Sequence, residues 1–309
     1  MTKDVYQDRR PPLKTGLRLI HGDGEQATNL ARDLEGEIAL VVTSPPYHNA
    51  IDYQQHAEDA SQNYRKRLSI NYATEYLPLI TRVWDACWDM LRPGGHLVVN
   101  AGTVLDNGCH YPLPQDLVHE ALSSRRWQFI QTTVWFKVTA GVKRAGSVIQ
   151  HPLPDYWSYN IMTEHIQVLR KPGRPTINRK TTPAEWWETV WNIAPVPPGQ
   201  VNHPAPYPED IPHRFIRMLT NRGDWVMDPF NGAGATTKAA IDLERSGLGF
   251  DISTKYVELA IERAAKPSAV RKSQLAVEPV PQQLFVPGRS RGKTRHGTGL
   301  ATRRGSKND

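Results

Sequence analysis

The chain has almost no cysteine, and its histidines follow no pattern that suits a metal ion. Two cysteines, Cys87 and Cys109, occur in 309 residues, and no Cys-x-x-Cys pair is present. The eleven histidines are scattered without ligand spacing, so we expect no metal site. Cys87 lies among apolar residues at helical spacing, which predicts a buried and unreactive thiol. The Gly-x-Ser-x-Gly elbow of serine hydrolases is also absent from the sequence.

Long apolar runs are missing as well. The clearest apolar stretches are about five residues long, whereas a helix that crosses a bilayer needs about 20. Residues 1–12 are charged and contain prolines, without the apolar stretch of a signal peptide. These features predict a soluble, cytoplasmic protein. A length of 309 residues is enough for one large α/β domain, or two small ones, with a buried core.

One short segment has a composition that suits chemistry on a planar amine. Thr43-Ser44-Pro45-Pro46-Tyr47 directly follows the apolar run at 38–42. Each proline fixes its own backbone, lacks an N–H donor and pushes the residue before it into an extended conformation. The carbonyl groups and the Ser44 hydroxyl are then acceptors without competing donors, and two acceptors on an amino group free its lone pair for attack. Tyr47 offers a flat face on which a planar ring can stack. Taken alone, the segment is equally consistent with a rigid connecting loop.

A second segment predicts a nucleoside site. Residues 223–244 read as a strand, a tight glycine loop and a helix in succession. Gly232 and Gly234 let backbone N–H groups approach a ligand at the helix N-terminus. The next strand ends in Asp251, seventeen positions after Gly234, close to the offset at which a carboxylate binds a ribose hydroxyl. Thr237 stands where a dinucleotide fingerprint has its third glycine, which disfavours NAD.

In this order, the two segments resemble the amino-group DNA methyltransferases that use S-adenosylmethionine, in the permuted arrangement that puts the catalytic loop before the cofactor loop. The resemblance covers about residues 17–264. Four more segments match the family in the expected order, at 19–23, 91–99, 163–169 and 203–208. The resemblance implies an α/β fold with a Rossmann-like, doubly wound sheet, a circularly permuted motif order and a small target-recognition insert.

The resemblance also implies roles for individual residues. Ser44, Pro45, Pro46 and Tyr47 would handle the target base, with the Pro45 carbonyl as one of two acceptors on its amino group. Asp251 would bind the ribose of S-adenosylmethionine, and Asp23 would lie near its adenine. The complete predicted cofactor site consists of Asp23, Thr43, His203, Asp228, Pro229, Phe230, Asn231, Gly232, Gly234, Thr236 and Asp251.

The residue before Pro-Pro-Tyr bears on which base is modified. In this family, Asp or Asn at that position goes mostly with adenine N6 and Ser mostly with cytosine N4, so Ser44 favours cytosine N4 and leaves adenine N6 open. Methylation of cytosine at C5 needs a cysteine thiolate that follows a proline. Neither Cys87 nor Cys109 follows a proline, which disfavours C5 chemistry.

Basic residues are concentrated in two parts of the chain. Residues 137–180 carry eight Lys or Arg against two acids, and residues 266–309 carry ten against two. The first part has interleaved aromatic residues and predicts a face for a polyanion. We therefore expect a target-recognition segment at about 138–200, with DNA contacts at Lys143, Arg144, Arg174, Arg179 and Lys180. The second part is poor in apolar residues, which predicts a disordered tail. That tail is equally well read as a solubilising extension or as an arm that grips DNA.

The predicted organisation is a methyltransferase domain at 1–265 followed by the basic tail. Its expected partners are double-stranded DNA and, as a candidate, a cognate restriction endonuclease that acts on the same site; a monomer and a homodimer are both open. Two other function classes remain open. Protein and RNA methyltransferases also use Pro-Pro-Tyr loops but usually place the cofactor glycines first. A catalytically silent DNA-binding module would keep the fold, although the intact glycines and acids disfavour it.

Overall fold

The computed structural model describes residues 15–47, 71–106, 109–124, 126–137, 161–196, 207–266 and 276–277. The strands in these ranges are β1 (Gly16–His21), β2 (Ile38–Thr43), β3 (Leu91–Ala101), β4 (Val104–Asp106), β5 (Cys109–Tyr111), β6 (Gln128–Phe136), β7 (Thr163–Arg170), β8 (Val190–Asn192), β9 (Trp225–Asp228), β10 (Ser246–Asp251) and β11 (Ala276–Val277). The α-helices are α1 (Ala27–Leu30), α2 (Leu77–Met90), α3 (Leu113–Ser123), α4 (Asp210–Leu219), α5 (Ala235–Asp242) and α6 (Thr254–Ala265). Four 3-10 turns, at Gly24–Gln26, Arg32–Leu34, Arg179–Thr181 and Ala184–Trp187, and a π-helical turn at Tyr72–Tyr76 complete the set.

Nine of the described strands form one sheet, in the order β11-β1-β10-β9-β2-β3-β7-β6-β8. The strands in this sheet are parallel except β7, which runs antiparallel to both of its neighbours, β3 and β6. Strands β4 and β5 form a separate antiparallel pair. The prediction of a doubly wound α/β sheet is confirmed.

The central strands are buried on both faces, which explains why their sequences are almost uniformly apolar. Val41 of β2 and Val99 of β3 pack in one cluster with Trp84 of α2. Val42 of β2 and Val98 of β3 point to the other face, where they share a cluster with helices α4 and α5. Successive side chains of a strand alternate between faces, so helices on both sides of the sheet are needed to cover β2 and β3.

Helix α2 has the buried face that its sequence predicts. Ile80, Val83, Trp84 and Cys87 are all buried on it. The Asn71 side chain accepts hydrogen bonds from two backbone N–H groups of the π-helical turn that leads into α2. Burial raises the pKa of the Cys87 thiol above its ordinary range, which keeps it protonated and unreactive. The expectation of an inert thiol at this position is confirmed.

The predicted target-recognition segment, 138–200, is described only over 161–196. Within that range, β7 and β8 belong to the central sheet. Trp191 of β8 is 2% exposed and its ring centroid lies 5.0 Å from that of Phe215, so it packs in the core. A recognition element separate from the sheet is therefore narrower than the predicted segment.

Chain order and spatial order differ in the middle of the sheet. Strand β2 lies between β9 and β3, although β9 comes much later in the chain. Since β1, β2, β9 and β10 are parallel, they all end at one edge of the sheet, which we call the carboxyl edge. The edge at which they begin is the amino edge. No helix in the described part of the chain is long and apolar enough to cross a bilayer.

Candidate active site at the carboxyl edge

The two segments singled out in the sequence meet at the carboxyl edge. Val41 and Met227 are register partners on β2 and β9, which brings the ends of these strands together. The Thr43 hydroxyl donates a 2.6 Å hydrogen bond to Asp228 Oδ1, and both residues are buried. Thr236 Oγ1, in the first turn of α5, donates to the Val42 carbonyl at 3.0 Å. The Pro-Pro-Tyr loop and the glycine loop are thus joined directly.

The Pro-Pro-Tyr loop is fixed on one side by a residue from the turn before α2. The Tyr76 hydroxyl donates a 2.8 Å hydrogen bond to the Pro46 carbonyl, and the Tyr76 side chain is buried. Ser44 is partly exposed. Among the residues that the structure describes, none hydrogen-bonds the Ser44 hydroxyl or the Pro45 carbonyl. The loop therefore presents two acceptors on a backbone that cannot easily move.

The Tyr47 side chain is fixed on its other side by a polar cluster. Its hydroxyl donates to Glu164 Oε2 at 2.8 Å. Asn100 Nδ2 donates to the same oxygen at 2.6 Å, and Lys137 Nζ contacts Glu164 Oε1 at 2.6 Å. Sequence reasoning assigned no role to Tyr76, Asn100, Lys137 or Glu164. No local pattern marks them, because each is far from the loop in the chain.

The glycine loop has the backbone geometry that glycine permits. Gly232 has φ of +47° and Gly234 has φ of +79°, both in the left-handed region. A Cβ at Gly234 would lie 2.9 Å from Ala260 Cβ of α6. The loop leads into the N-terminus of α5, where backbone N–H groups favour an anionic or electron-rich ligand.

Asp251, at the end of β10, braces the glycine loop. Its Oδ2 accepts from the Gly232 N–H at 2.9 Å, and its Oδ1 accepts from the Ser253 N–H at 2.8 Å. Burial raises the pKa of Asp251 to about 7, although these two N–H groups act in the opposite direction. The residue is partly exposed, so lone pairs of the carboxylate remain open to a ligand.

Asp228 has one carboxylate oxygen with no hydrogen-bond partner in the described structure. Oδ1 accepts from Thr43 and from the Phe230 N–H at 3.0 Å, whereas the buried Oδ2 has no partner. Thr236 gives its single hydroxyl proton to Val42, so it accepts from the Tyr207 hydroxyl that contacts it. Burial raises the pKa of Asp228 to about 6 despite its hydrogen bonds. A cationic group beside Oδ2 would satisfy this oxygen.

The turn that follows β1 completes this edge. Asp23 Oδ1 accepts from the Glu25 N–H at 3.1 Å, and the Gly22 N–H donates to the Asp251 carbonyl at 2.9 Å. A Cβ at Gly24 would lie 2.5 Å from the Pro229 carbonyl oxygen, so only glycine allows this approach. Asp23 is therefore held near both the glycine loop and Asp251.

Two other predicted cofactor residues have internal roles. The Asn231 side chain is buried against Gly249 of β10, and its Oδ1 accepts from the Thr237 hydroxyl at 2.9 Å. The Thr236 hydroxyl ties α5 to β2. Both side chains thus shape the loop from within. His203 lies outside the described residues.

The predicted DNA contacts are not brought to the carboxyl edge where the structure describes them. Arg174, Arg179 and Lys180 are exposed, and their segment is fixed at the amino edge. There the Asn178 N–H and side chain donate to the Met218 and Thr220 carbonyls at the end of α4, at 2.8 and 2.7 Å. The role of these three residues in DNA binding stays a prediction. Lys143, Arg144 and the rest of the basic tail after Lys266, apart from 276–277, lie outside the described residues.

No cluster of three or more His, Cys, Asp or Glu side chains that could hold a metal ion occurs within the described ranges. The acids of the carboxyl edge instead accept hydrogen bonds from backbone N–H groups and hydroxyls. The arrangement can hold a ligand by hydrogen bonding and charge.

Comparison with known proteins gives one consistent result. Residues 38–262 match the family model N6_N4_Mtase, described as DNA methylase. The chain is 29% identical over 231 residues to the Type II methyltransferase M.HpaI of Haemophilus parainfluenzae, covering 74% of this chain and 68% of M.HpaI. It is 26% identical to the Type II beta methyltransferase M.BslI of Bacillus sp. (strain NEB-606), covering 80% of this chain but only 27% of M.BslI.

A solved structure shows the same likeness. A DNA modification methylase from Thermus thermophilus, in complex with S-adenosyl-L-methionine, superimposes with a TM-score of 0.58 at 27% identity. The match covers 81% of this chain and 93% of the Thermus chain.

Proposed function

The chain belongs to the DNA methylase family whose model spans its residues 38–262, and we propose that it methylates the exocyclic N4 of a cytosine in duplex DNA. The family uses S-adenosylmethionine as the methyl donor. The single observation that carries the proposal is the Thr43–Asp228 hydrogen bond, because it joins the loop that suits a base to the loop that suits a nucleoside.

The residues of the glycine half fit S-adenosylmethionine. The buried Asp228 Oδ2, which has no partner in the described structure, suits the α-ammonium group of the methionine part. Asp251 is placed to accept from ribose hydroxyls, as acids at this offset do. When bound, S-adenosylmethionine supplies an electrophilic methyl group on a sulfonium centre.

The residues of the Pro-Pro-Tyr half fit the amino group of a base. Ser44 and the Pro45 carbonyl accept its two hydrogens, which draws the nitrogen lone pair out of conjugation. The Tyr47 ring stacks on the extruded base, and such stacking is worth about 1–3 kcal/mol, close to the few kcal/mol that extrusion requires. The proton of the amino group then leaves to solvent or to the loop. No protein nucleophile takes part, so no covalent enzyme intermediate forms.

Ser44 supports cytosine N4 over adenine N6, since it stands first in the Pro-Pro-Tyr segment. Two relatives are Type II methyltransferases, which supports a partner endonuclease that cuts the same DNA site. We therefore place the protein in a restriction-modification system and expect a defined DNA recognition sequence.

The base is identified by expressing the protein in cells that lack DNA methylation. Their DNA is digested to nucleosides, analysed by mass spectrometry and also sequenced with a method that detects modified bases. We expect N4-methylcytosine at one recurring sequence. N6-methyladenine would contradict the choice of base and retain the family chemistry. The absence of both would contradict the activity.

Two variants separate the two halves of the site. We expect Ser44→Ala to lose most methyl transfer while it keeps S-adenosylmethionine affinity, because it removes an acceptor for the base only. Asp251→Ala should chiefly weaken S-adenosylmethionine binding, measured by calorimetric titration. If both variants methylated DNA at the wild-type rate, these residue assignments would be wrong.

A further inference from the structure

A buried ion pair lies directly behind the aromatic ring of the Pro-Pro-Tyr loop. The side chains of Lys137 and Glu164 are only 14% and 12% exposed, and their charged atoms are 2.6 Å apart. Asn100 is 1% exposed and donates to the same carboxylate. The three residues come from β7 and from the carboxyl-edge ends of β3 and β6, whereas Tyr47 follows β2.

The chemistry of the carboxylate fixes the direction of every hydrogen bond in this cluster. An ionised carboxylate only accepts, so the Tyr47 hydroxyl donates to Glu164 Oε2 and Asn100 must turn its NH2 group toward it. Asn100 Oδ1 is then left buried without a partner in the described structure. A buried unpaired amide oxygen is unfavourable and is often found where a site is held for function.

Resting on the proposed function, we propose that Glu164 is a positioning residue that holds the Tyr47 ring in the orientation in which the target base stacks. Lys137 keeps the Glu164 carboxylate charged, and Asn100 holds it in place. Tyr76 fixes the loop backbone at Pro46, and Glu164 fixes the end of the neighbouring ring. A base that swings out then meets an aromatic face that is already ordered.

The space around this cluster is closely fitted. A Cβ at Gly102 would lie 3.1 Å from Glu164 Cγ and 3.5 Å from Tyr47 Cε2. The backbone after β3 thus approaches both side chains, and even a methyl group would press Glu164 out of place. Gly102→Ala removes no polar group, so it tests the position of Glu164 separately from its charge.

The central experiment is a double-mutant cycle with Tyr47→Phe, Glu164→Gln and the double variant. Tyr47→Phe keeps the ring and the ion pair, whereas Glu164→Gln offers one acceptor oxygen to three donors. For each single variant we expect kcat/KM for DNA to fall about tenfold, as for a lost hydrogen bond to a charged group. The double variant should fall no further than either single one.

Two additional readouts separate positioning from general stability. A duplex with fluorescent 2-aminopurine at the target position should show weaker extruded-base emission with each variant than with wild type. The dissociation constant for S-adenosylmethionine should change by less than about twofold, since the glycine half is untouched. Asp224→Asn, which breaks the Arg92–Asp224 ion pair at the amino edge, is the matched control and should leave the emission unchanged.

The orientation of Tyr47 can also be followed without DNA. In protein labelled with 3-fluorotyrosine, the Tyr47 signal is identified by its loss in Tyr47→Phe. Glu164→Gln and Gly102→Ala should move this signal toward its position in the unfolded protein. If wild-type protein fails to methylate DNA, the proposed function fails, while the fluorine signal still reports whether Glu164 holds Tyr47.

Two outcomes would overturn the role of Glu164. One is a double variant whose loss in kcat/KM equals the product of the two single losses, because the two residues would then act independently. The other is an unchanged Tyr47 fluorine signal in Glu164→Gln.

Discussion

At the scale of single residues, two acids define the electrostatics of the site. Asp228 and Asp251 end neighbouring parallel strands, and burial raises their pKa values to about 6 and about 7. Each is held by hydrogen bonds that favour its charged form, yet burial outweighs them. Because burial opposes ionisation here, a cationic ligand would stabilise the charged carboxylates.

These raised pKa values predict how stability depends on pH. Near pH 4 and below, Asp228 and Asp251 are largely protonated in both the folded and the unfolded protein. As pH rises toward about 7, the unfolded chain ionises first, so the free energy of unfolding of the ligand-free protein falls. Chemical denaturation at pH 5 and pH 8 measures this fall, and Asp228→Asn should make it smaller. An equal fall in wild type and variant would show that Asp228 does not contribute.

At the scale of elements, the glycine loop is positioned by the helices and strands around it. Gly234 lies between the loop and α5 and leaves no space for a side chain, because α6 packs against it at Ala260. Gly36 offers a contrast, since it has φ of +74° but no atom within 4 Å of the position that a Cβ would take. The two glycines thus share backbone conformation and differ in packing.

This contrast gives a prediction with an internal control. Gly36→Ala should lower the free energy of unfolding by about 1–2 kcal/mol through its left-handed backbone alone. Gly234→Ala should lower it by a further 1–3 kcal/mol or so, through the clash with Ala260, and should weaken S-adenosylmethionine binding. Denaturant titration and calorimetry measure the two effects. Equal losses for both variants would mean that α6 yields to the added methyl group.

At the scale of the whole molecule, the site exists because two distant parts of the chain lie side by side. Asp228 follows Thr43 by 185 residues, yet their side chains are hydrogen-bonded in the core. The bond joins the half that suits a base to the half that suits a nucleoside. Stability and activity should therefore depend on it together.

Thr43→Val tests this link, because it replaces the hydroxyl by a methyl group of similar size. We expect the free energy of unfolding at pH 8 to fall by about 1–3 kcal/mol, since a buried, charged Asp228 loses a donor. The loss should be smaller at pH 5, where Asp228 is largely protonated. Thr133→Val removes a buried hydroxyl with a neutral partner and should cost about 1 kcal/mol or less. A Thr43→Val loss no larger than this control would argue against the link.

Much of the site was predictable because its parts are local. The prolines and glycines act through their own backbone restrictions, so 43–47 and 229–234 could be recognised without a structure. The supporting residues could not, since Tyr76 and Glu164 lie 30 and 117 positions from their partners. Basic clusters were the weakest guide. Charge counts carry no direction, and Arg174, Arg179 and Lys180 follow β7, which runs toward the amino edge.

The sequence by itself determined the two loops, the apolar strands that precede them and the buried cysteine, because each depends on the conformational limits or periodicity of neighbouring residues. Only the tertiary structure decided that Thr43 bonds Asp228 and that Glu164 holds Tyr47. It also placed three predicted DNA contacts at the amino edge. Strand order and strand direction set which side chains share an edge, and both arise from packing between residues that are far apart in the chain.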